Sequence, residues 1–427
     1  MQRIFILGFA LLTIACKQDP ESKPITKVDD YNAYLSTLDR SSYEEAQSLV
    51  EFWSKRLRPD SSGVGELGPL AAAYEQLFEQ TGNPKYLKDA EALYSKGADI
   101  SAHNKDGYLR SLAHNFISQH RFKEAYDTLT HLLSEPTNKH ETNLILFDAA
   151  MEVGKYEKAY EYLGAVKNIK DYHYLIRLSK WSDYRGDLDS AITYMEQAMA
   201  IAESRDSRAL KIWTYSNLGD YYGHAGRIAE SYEYYLKTLS LQPDNSYVKK
   251  GIAWIVYSEE KNTKEAIRIL DSAMKHHSIP DYHLLKSELY EFEGDIAQAE
   301  LQKKHFLRSV ESGAYGDMYN GYLIELYGDT KPQLALEIAK KEVESRATPE
   351  TYHLLALAQM QAGMPGEALK TIQDHVVGKT FEPIALYHTA QVYKANKMEK
   401  EILPIKEELL EANFELGPLL TQKIKAL

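Results

Sequence analysis

The sequence predicts an all-α protein in which pairs of helices stack into a solenoid. Three observations predict it. Small residues recur at nearly constant spacing along the chain, a turn sequence stands just before nearly every one of them, and no strand alternation appears after about residue 29. Glycine (23) and proline (14) are also sparse for 427 residues, as expected of helices joined by short turns. A repeat array therefore accounts for the length better than separate globular domains.

Each small residue is predicted to lie in the second helix of a pair, at the point where the two helices of that pair cross closely. Most of their spacings lie within two residues of about 34, a known period of helical repeats. We place them at Ala46, Ala90, Ala125, Ala159, Ala191, Ser231, Ala266, Ala299, Ala335, Ala368 and Glu401. Preceding turns contain Gly154, Gly186, Gly226, Gly294 and Gly363. The wider spacings coincide with a predicted loop at 59–65 and a helix end or loop at 203–208.

The clearest repeat unit extends from Ile212 to Asn245 and resembles the tetratricopeptide repeat. Its pattern is formed by Tyr215, Leu218, Gly219, Tyr222, Gly226, Ser231, Tyr235 and Pro243. In this family the small residues permit a close helix crossing, the aromatic residues fill the space between helices, and the proline ends the second helix. The resemblance implies a right-handed superhelical solenoid of about 11 tetratricopeptide-like helix pairs.

Composition limits the possible partners. The net charge is −12, and an acidic surface repels phosphate backbones, so we expect no nucleic acid as a partner. Tyrosine is abundant, with 32 residues against 11 phenylalanines and 4 tryptophans. We expect most of these rings to pack between helices. A smaller number could line a groove and stack on a ligand.

The N-terminus resembles the signal of a bacterial lipoprotein. Arg3 is followed by an apolar stretch that is too short to span a bilayer, which needs about 20 residues. It ends at Ala15, directly before Cys16, the only cysteine. In the lipoprotein family such a cysteine is acylated after cleavage. This resemblance departs at Thr13, where the family prefers leucine. An ordinary signal peptide with an incidental cysteine is the alternative.

The resemblance also implies a location. Lys17 replaces the aspartate associated with inner-membrane retention, which favours the bacterial outer membrane, on its periplasmic face or at the cell surface. Acidic residues shortly after the cysteine resemble the export signal of Bacteroidetes lipoproteins. We thus divide the chain into a signal peptide (1–15), a lipidated cysteine and tether (16–29), a solenoid (30–416) and a capping helix (417–427).

No catalytic or metal-binding pattern is apparent, so we predict no enzyme activity, no cofactor and no metal. Cys16 is assigned to lipidation, and the adjacent His276 and His277 point apart on a helix. In the tetratricopeptide family the first helix of each pair lines the concave groove, and this rule selects groove candidates. They are Arg110, His114, Arg177, Lys180, Tyr184, Trp213, Ser216, Asn217, Asp220, His224, Glu288 and Glu291.

Two functions of different classes follow from these predictions. The first is a membrane-anchored, non-catalytic scaffold that binds a protein or peptide partner in the bacterial envelope. The second is a glycan- or nutrient-capturing lipoprotein similar to the starch-utilisation binding lipoproteins. Tyrosine content favours the second, whereas the shortness of the segments between helices counts against it.

Overall fold

The computed structural model describes residues 24–58 and 63–427, and helices are the only regular secondary structure in this part of the chain. The predicted signal peptide and Cys16 lie outside the described residues, as do residues 59–62 of the predicted loop. The first twelve helices are α1 Val28–Leu35, α2 Ser41–Ser54, α3 Val64–Thr81, α4 Lys85–Ile100, α5 Lys105–Ser118, α6 Phe122–Leu132, α7 Lys139–Glu152, α8 Tyr156–Ala165, α9 Tyr172–Tyr184, α10 Leu188–Ser204, α11 Arg208–His224 and α12 Ile228–Leu241.

The remaining helices continue the same alternation. They are α13 Ser246–Ser258, α14 Thr263–Ala273, α15 Asp281–Glu293, α16 Ile296–Val310, α17 Asn320–Tyr327, α18 Pro332–Ser345, α19 Pro349–Gln361, α20 Pro365–His375, α21 Pro383–Ala395, α22 Glu399–Glu411 and α23 Asn413–Lys425. From α3 to α22 each odd-numbered helix packs on the even-numbered helix that follows it, which forms the predicted solenoid of helix pairs.

The predicted crossing residues occupy the tightest places of these pairs. From Ala90 to Ala368 every one is at most 1% exposed, so the even-numbered helix has no room there for a larger side chain. Ala46 is equally buried, but the predicted first pair does not form, because α2 packs on α3 while α1 packs on α12 and α14. Glu401 is the exception, because it is exposed and its neighbour Ile402 is buried in its stead. That last assignment was wrong by one position, since the terminal pair lacks the small residue that marks the register elsewhere.

Most turns between paired helices have a left-handed residue two positions before the second helix. Glycine supplies it at Gly154 (φ 72°) and Gly363 (φ 82°), among other turns. His120 and Lys261 adopt the same conformation in two further units, at φ 58° and 53°. The glycines that mark the predicted turns are therefore set by backbone geometry.

Aromatic packing in the clearest unit depends on glycines, which leave room for a ring. The ring of Tyr235 lies between Gly219 of α11 and Gly251 of α13, and a Cβ at either glycine would clash with it. The phenolic hydroxyl donates a hydrogen bond to Asp220 at 2.7 Å. Tyr222 and Tyr235 are 2% and 6% exposed, which confirms that these rings fill the space between helices.

Successive turns of the superhelix touch through their loops. The amide of Ser278 donates to the carbonyl of Thr81 at 2.9 Å, across 197 residues of sequence. Farther along, Arg346 pairs with Glu152 at 3.6 Å, and the ring of Phe381 lies against Gly186. One turn thus takes about six repeats of 34 residues. The solenoid is a compact coil rather than an open arc.

Both ends of the described chain fold back onto the middle of the solenoid. Helix α1 packs on α12 and α14, where the Tyr31 hydroxyl donates to Glu265 at 2.8 Å. At the other end, α23 has a break at Gly417 (φ 72°, ψ 167°), the residue at which the final helix was predicted to start. Besides packing on α22, α23 contacts α11, α13, α15 and α21.

Gly219→Ala tests the close packing in the clearest unit. The added methyl group collides with the buried ring of Tyr235, so we expect a loss of about 1–3 kcal/mol in the free energy of unfolding, partly offset by better helix propensity. The matched control is Gly366→Ala in α20, which has no atom within 4 Å of the new Cβ. Thermal unfolding followed by circular dichroism should show a lower midpoint for the first variant only. Equal midpoints would contradict this packing argument.

Candidate functional site

The odd-numbered helices form the inner surface of the coil. Among them α5, α7 and α9 contact one another in order, as do α17, α19 and α21. We call the surface formed by the odd-numbered helices the inner groove. All predicted groove residues lie on α5, α9, α11 or α15, so the assignment to first helices is consistent with the structure. Their surroundings differ greatly along the groove.

The N-terminal part of the groove contains a cleft of about 670 Å³ between α3, α5 and α7. Small residues line one wall, including Gly65, Gly68 and Ala72, and two predicted residues, Arg110 and His114, line the other. Arg110 is held by Asp106 of the same helix at 2.6 Å. Burial alone would raise the pKa of Asp106, but the hydrogen bond from Arg110 and others lower it to about 2. Asp106 therefore stays ionised and fixes Arg110.

Two predicted cations on α9 tie this helix to α7. The guanidinium of Arg177 donates to Asp148 at 2.6 Å and to the carbonyl of Leu144 at 2.8 Å. Lys180 forms an ion pair with Glu152 at 3.0 Å. Because their charges are already paired inside the protein, these residues hold the groove together, and any contact with a partner would be secondary.

Tyr184 faces a different cleft, of about 510 Å³, between two turns of the coil. Its ring stacks on Tyr156 with centroids 4.2 Å apart, and on the opposite wall Tyr352 stacks on His375 at 3.8 Å. Phe381 is 65% exposed at the edge of this cleft. The structure thus separates Tyr184 from the other predicted residues.

The predicted residues on α11 divide into two groups. Trp213 is 40% exposed, and its backbone carbonyl accepts hydrogen bonds from Ser216 at 2.9 Å and Asn217 at 2.8 Å. Farther along the same helix, Asp220 accepts hydrogen bonds from the hydroxyls of Tyr235 and Tyr247, each at 2.7 Å. Asp220 and His224 line a cavity of about 260 Å³ together with residues of α13 and α23.

The chain's own C-terminal segment covers this part of the groove. His224 forms an ion pair with Glu415 at 3.0 Å, and the indole nitrogen of Trp254 donates to the carbonyl of Phe414 at 3.0 Å. On α15, Glu291 pairs with Lys423 at 2.9 Å. Sequence reasoning missed Trp254, Phe414 and Glu415. The one available signal was the Gly417-Pro418 break, which marks a change of chain direction but not its destination.

Two half-buried to exposed carboxylates, Glu288 and Glu325, line the adjacent part of the groove. Burial raises the pKa of Glu288 to about 7, although Tyr257 donates a hydrogen bond to it at 3.0 Å. Burial also raises the pKa of Glu325 to about 7. These residues and α23 line an open cleft of about 390 Å³. Within residues 24–58 and 63–427 no three metal-ligating side chains come together, and no helix is long and apolar enough to cross a membrane.

Residues 183–244 match the family model of the tetratricopeptide repeat. The match starts at the end of α9 and continues through α12, and it includes most of the unit that the sequence pattern marks most clearly. No curated protein matches the chain.

Solved structures are similar at low identity. The human IFIT1 dimer with PPP-AAAA is 13% identical over 77% of this chain and 76% of that chain, with a TM-score of 0.46. Yeast Tom70 is 13% identical over 90% and 94%, with a TM-score of 0.41. A tetratricopeptide repeat protein from Parabacteroides merdae is 18% identical over 60% and 96%, with a TM-score of 0.31.

The covered part of the groove should loosen as pH rises. The hydrogen bond to Glu415 raises the pKa of His224, aided by the charges of Asp183 and Asp220 that also face it. Protonated His224 stabilises the folded state. This stabilisation is complete below the pKa of the unfolded chain, about 6.5, and is lost as the pH rises through the pKa of His224 in the folded state. The raised pKa of Glu288 acts in the same direction, since its ionisation between about 4.5 and 7 destabilises the folded state.

We therefore expect the amides of 413–425 to open several-fold more often at pH 8 than at pH 6, after correction for intrinsic exchange. Hydrogen exchange followed by mass spectrometry measures this. His224→Ala should remove most of the dependence above pH 6.5, and Glu288→Gln should remove the part below it. An unchanged pH profile in both variants would refute this assignment.

Proposed function

We propose that this chain, a tetratricopeptide repeat protein, is a non-catalytic scaffold that binds a segment of a partner protein in its inner groove. The observation that carries this proposal is the cleft between α3, α5 and α7, which is wide and lined by small residues on one wall. Small residues let a partner backbone come close to the helices. The neighbouring polar side chains are already fixed by internal pairs, as Arg110 is by Asp106, so little order has to be created on binding.

We also propose that the scaffold is anchored in the bacterial envelope by lipid on Cys16. The support is the N-terminal sequence, in which a short apolar stretch ends directly before the only cysteine. Several acyl chains on one residue would hold the protein stably at a membrane, at about 0.8 kcal/mol per buried CH₂. The outer membrane is the proposed location because Lys17 follows the cysteine.

Glycan capture is the second candidate, and one observation favours it. Tyr156, Tyr184, Tyr352 and His375 bring four stacked rings to the cleft between turns, with Phe381 exposed at its edge. Arg185 and Lys379 add hydrogen-bond donors there. Aromatic faces next to polar groups suit the apolar faces and hydroxyl groups of sugars.

Site-specific photo-crosslinking in cells distinguishes these candidates. A photoreactive phenylalanine replaces His114 in the cleft or, as a control, Lys123, which is exposed on α6. We expect one protein species to crosslink at 114 and not at 123. Ser111→Arg, which fills the cleft, should reduce that species about tenfold. No specific species at 114, together with glycan-array binding that Phe381→Ala abolishes, would favour glycan capture.

The anchor has its own test. Metabolic labelling with an alkyne-bearing fatty acid should mark the wild-type chain, and the chain should partition into the detergent phase. Cys16→Ser should abolish both properties, because no other cysteine can carry the lipid. A labelled or detergent-partitioning Cys16→Ser variant would disprove lipidation at this residue.

A further inference from the structure

The C-terminal segment, residues 412–427, contacts the inner groove through its backbone. Trp254 of α13 donates its indole N–H to the carbonyl of Phe414 at 3.0 Å, and the amide of Leu419 donates to the hydroxyl of Tyr257 at 3.2 Å. Both groove side chains come from one helix and face the segment one turn apart. Side chains that hydrogen-bond main-chain groups on both sides of the helix break at Gly417 bind the segment as they would bind a peptide ligand.

Two glycines allow the segment to approach this closely. A Cβ at Gly223 of α11 would lie 2.8 Å from the ring of Phe414. A Cβ at Gly417 of the segment would lie 2.7 Å from the ring of Trp254. Gly417 also has φ 72°, which side chains disfavour. The fit is therefore specific on both sides, with an aromatic ring seated on a bare helix backbone.

Charges of opposite sign match along the contact. The groove presents His224 to Glu415 at 3.0 Å at one end and Glu291 to Lys423 at 2.9 Å at the other. The apolar side chains of the segment have another role. Leu416 and Ile424 are buried against Leu409 and its neighbours on α21 and α22. This attachment keeps the segment near the groove and raises its local concentration there.

We propose that the inner surface of α11, α13 and α15 is a peptide-binding surface, which the C-terminal segment covers until a partner segment replaces it. The partner segment would carry an aromatic residue directly followed by an acidic residue, with a basic residue farther on. It would reproduce the contacts of Phe414, Glu415 and Lys423. The inference rests on the proposed scaffold function, but it concerns a different part of the groove from the cleft between α3, α5 and α7.

Intramolecular competition makes the proposal measurable. A covalently attached segment acts at an effective concentration on the order of millimolar, so it suppresses binding of the same sequence added in trans. Weakening the attached copy without altering the groove should relieve this suppression. The full-length double variant Phe414→Ala, Glu415→Ala does so, because both residues belong to the segment. The cavity of about 260 Å³ beside Phe414 remains available to the added peptide.

The probe is a fluorescent synthetic peptide of residues 411–427, and binding is followed by anisotropy. We expect the double variant to bind it at least about tenfold more tightly than the wild-type chain. Hydrogen exchange of residues 413–425 should be faster in the double variant, which verifies that the attached segment has loosened. Leu403→Ala, on the exposed surface of α22, is the control and should behave as wild type.

A groove-side change locates the site. Gly223→Ala, added to the double variant, places a methyl group where the ring of Phe414 sits and should reduce peptide affinity about tenfold. Gly366→Ala, also in a helix, should not. Equal affinity of wild type and double variant, or indifference to Gly223→Ala, would overturn the proposal. A wild-type dimer that the peptide dissociates would overturn the choice of partner, because a second copy would then supply the segment. None of these results bears on photo-crosslinking at position 114, which tests the proposed scaffold function separately.

Discussion

Close crossing of paired helices is the constraint on which the whole architecture depends. Two helices can approach closely only where a side chain is nearly absent, and one small residue per even-numbered helix, from Ala90 on α4 to Ala368 on α20, meets this need. The same crossing, repeated in the nine pairs from α3 to α20, turns each pair relative to the one before it. That rotation brings Thr81 under Ser278 after 197 residues, so contacts between turns follow from contacts within pairs.

The close packing of helices in the coil determines which polar residues remain unpaired and accessible to a ligand. Neighbouring inner helices stand close enough to pair their charges, as Arg177 does with Asp148 and Lys180 with Glu152. Arg346 reaches the same Glu152 from the next turn. Such pairs stiffen the groove but leave few charges available to a ligand. Affinity must therefore come mainly from shape, backbone contacts and aromatic surface, which the cleft beside Gly68 and the surface around Trp254 both offer.

The sequence alone predicted the features that depend on residues close together in the chain. Crossing residues, turn glycines such as Gly154, and the inward position of Tyr235 all follow from a period of about 34 residues. The failures have a different origin. Neither the docking of α1 on α12 and α14 nor that of Phe414 on Gly223 follows from the repeat period. Helix α1 lies outside the series of helix pairs, and the direction of α23 is set by its break at Gly417. At Glu401 the register shifted because the terminal pair has no small residue.

The predicted groove residues show that a position on the first helix of a pair does not by itself make a side chain accessible to a ligand. His114 and His224 both lie on first helices, yet His114 is exposed in the open cleft and His224 is paired with the chain's own Glu415. The difference lies in α23, whose break at Gly417 turns Phe414 and Glu415 into the groove. A solenoid that is chemically similar along its length thus becomes two surfaces of different accessibility. Their response to a ligand should differ accordingly, because binding near α11 must displace α23 whereas binding near α5 displaces nothing.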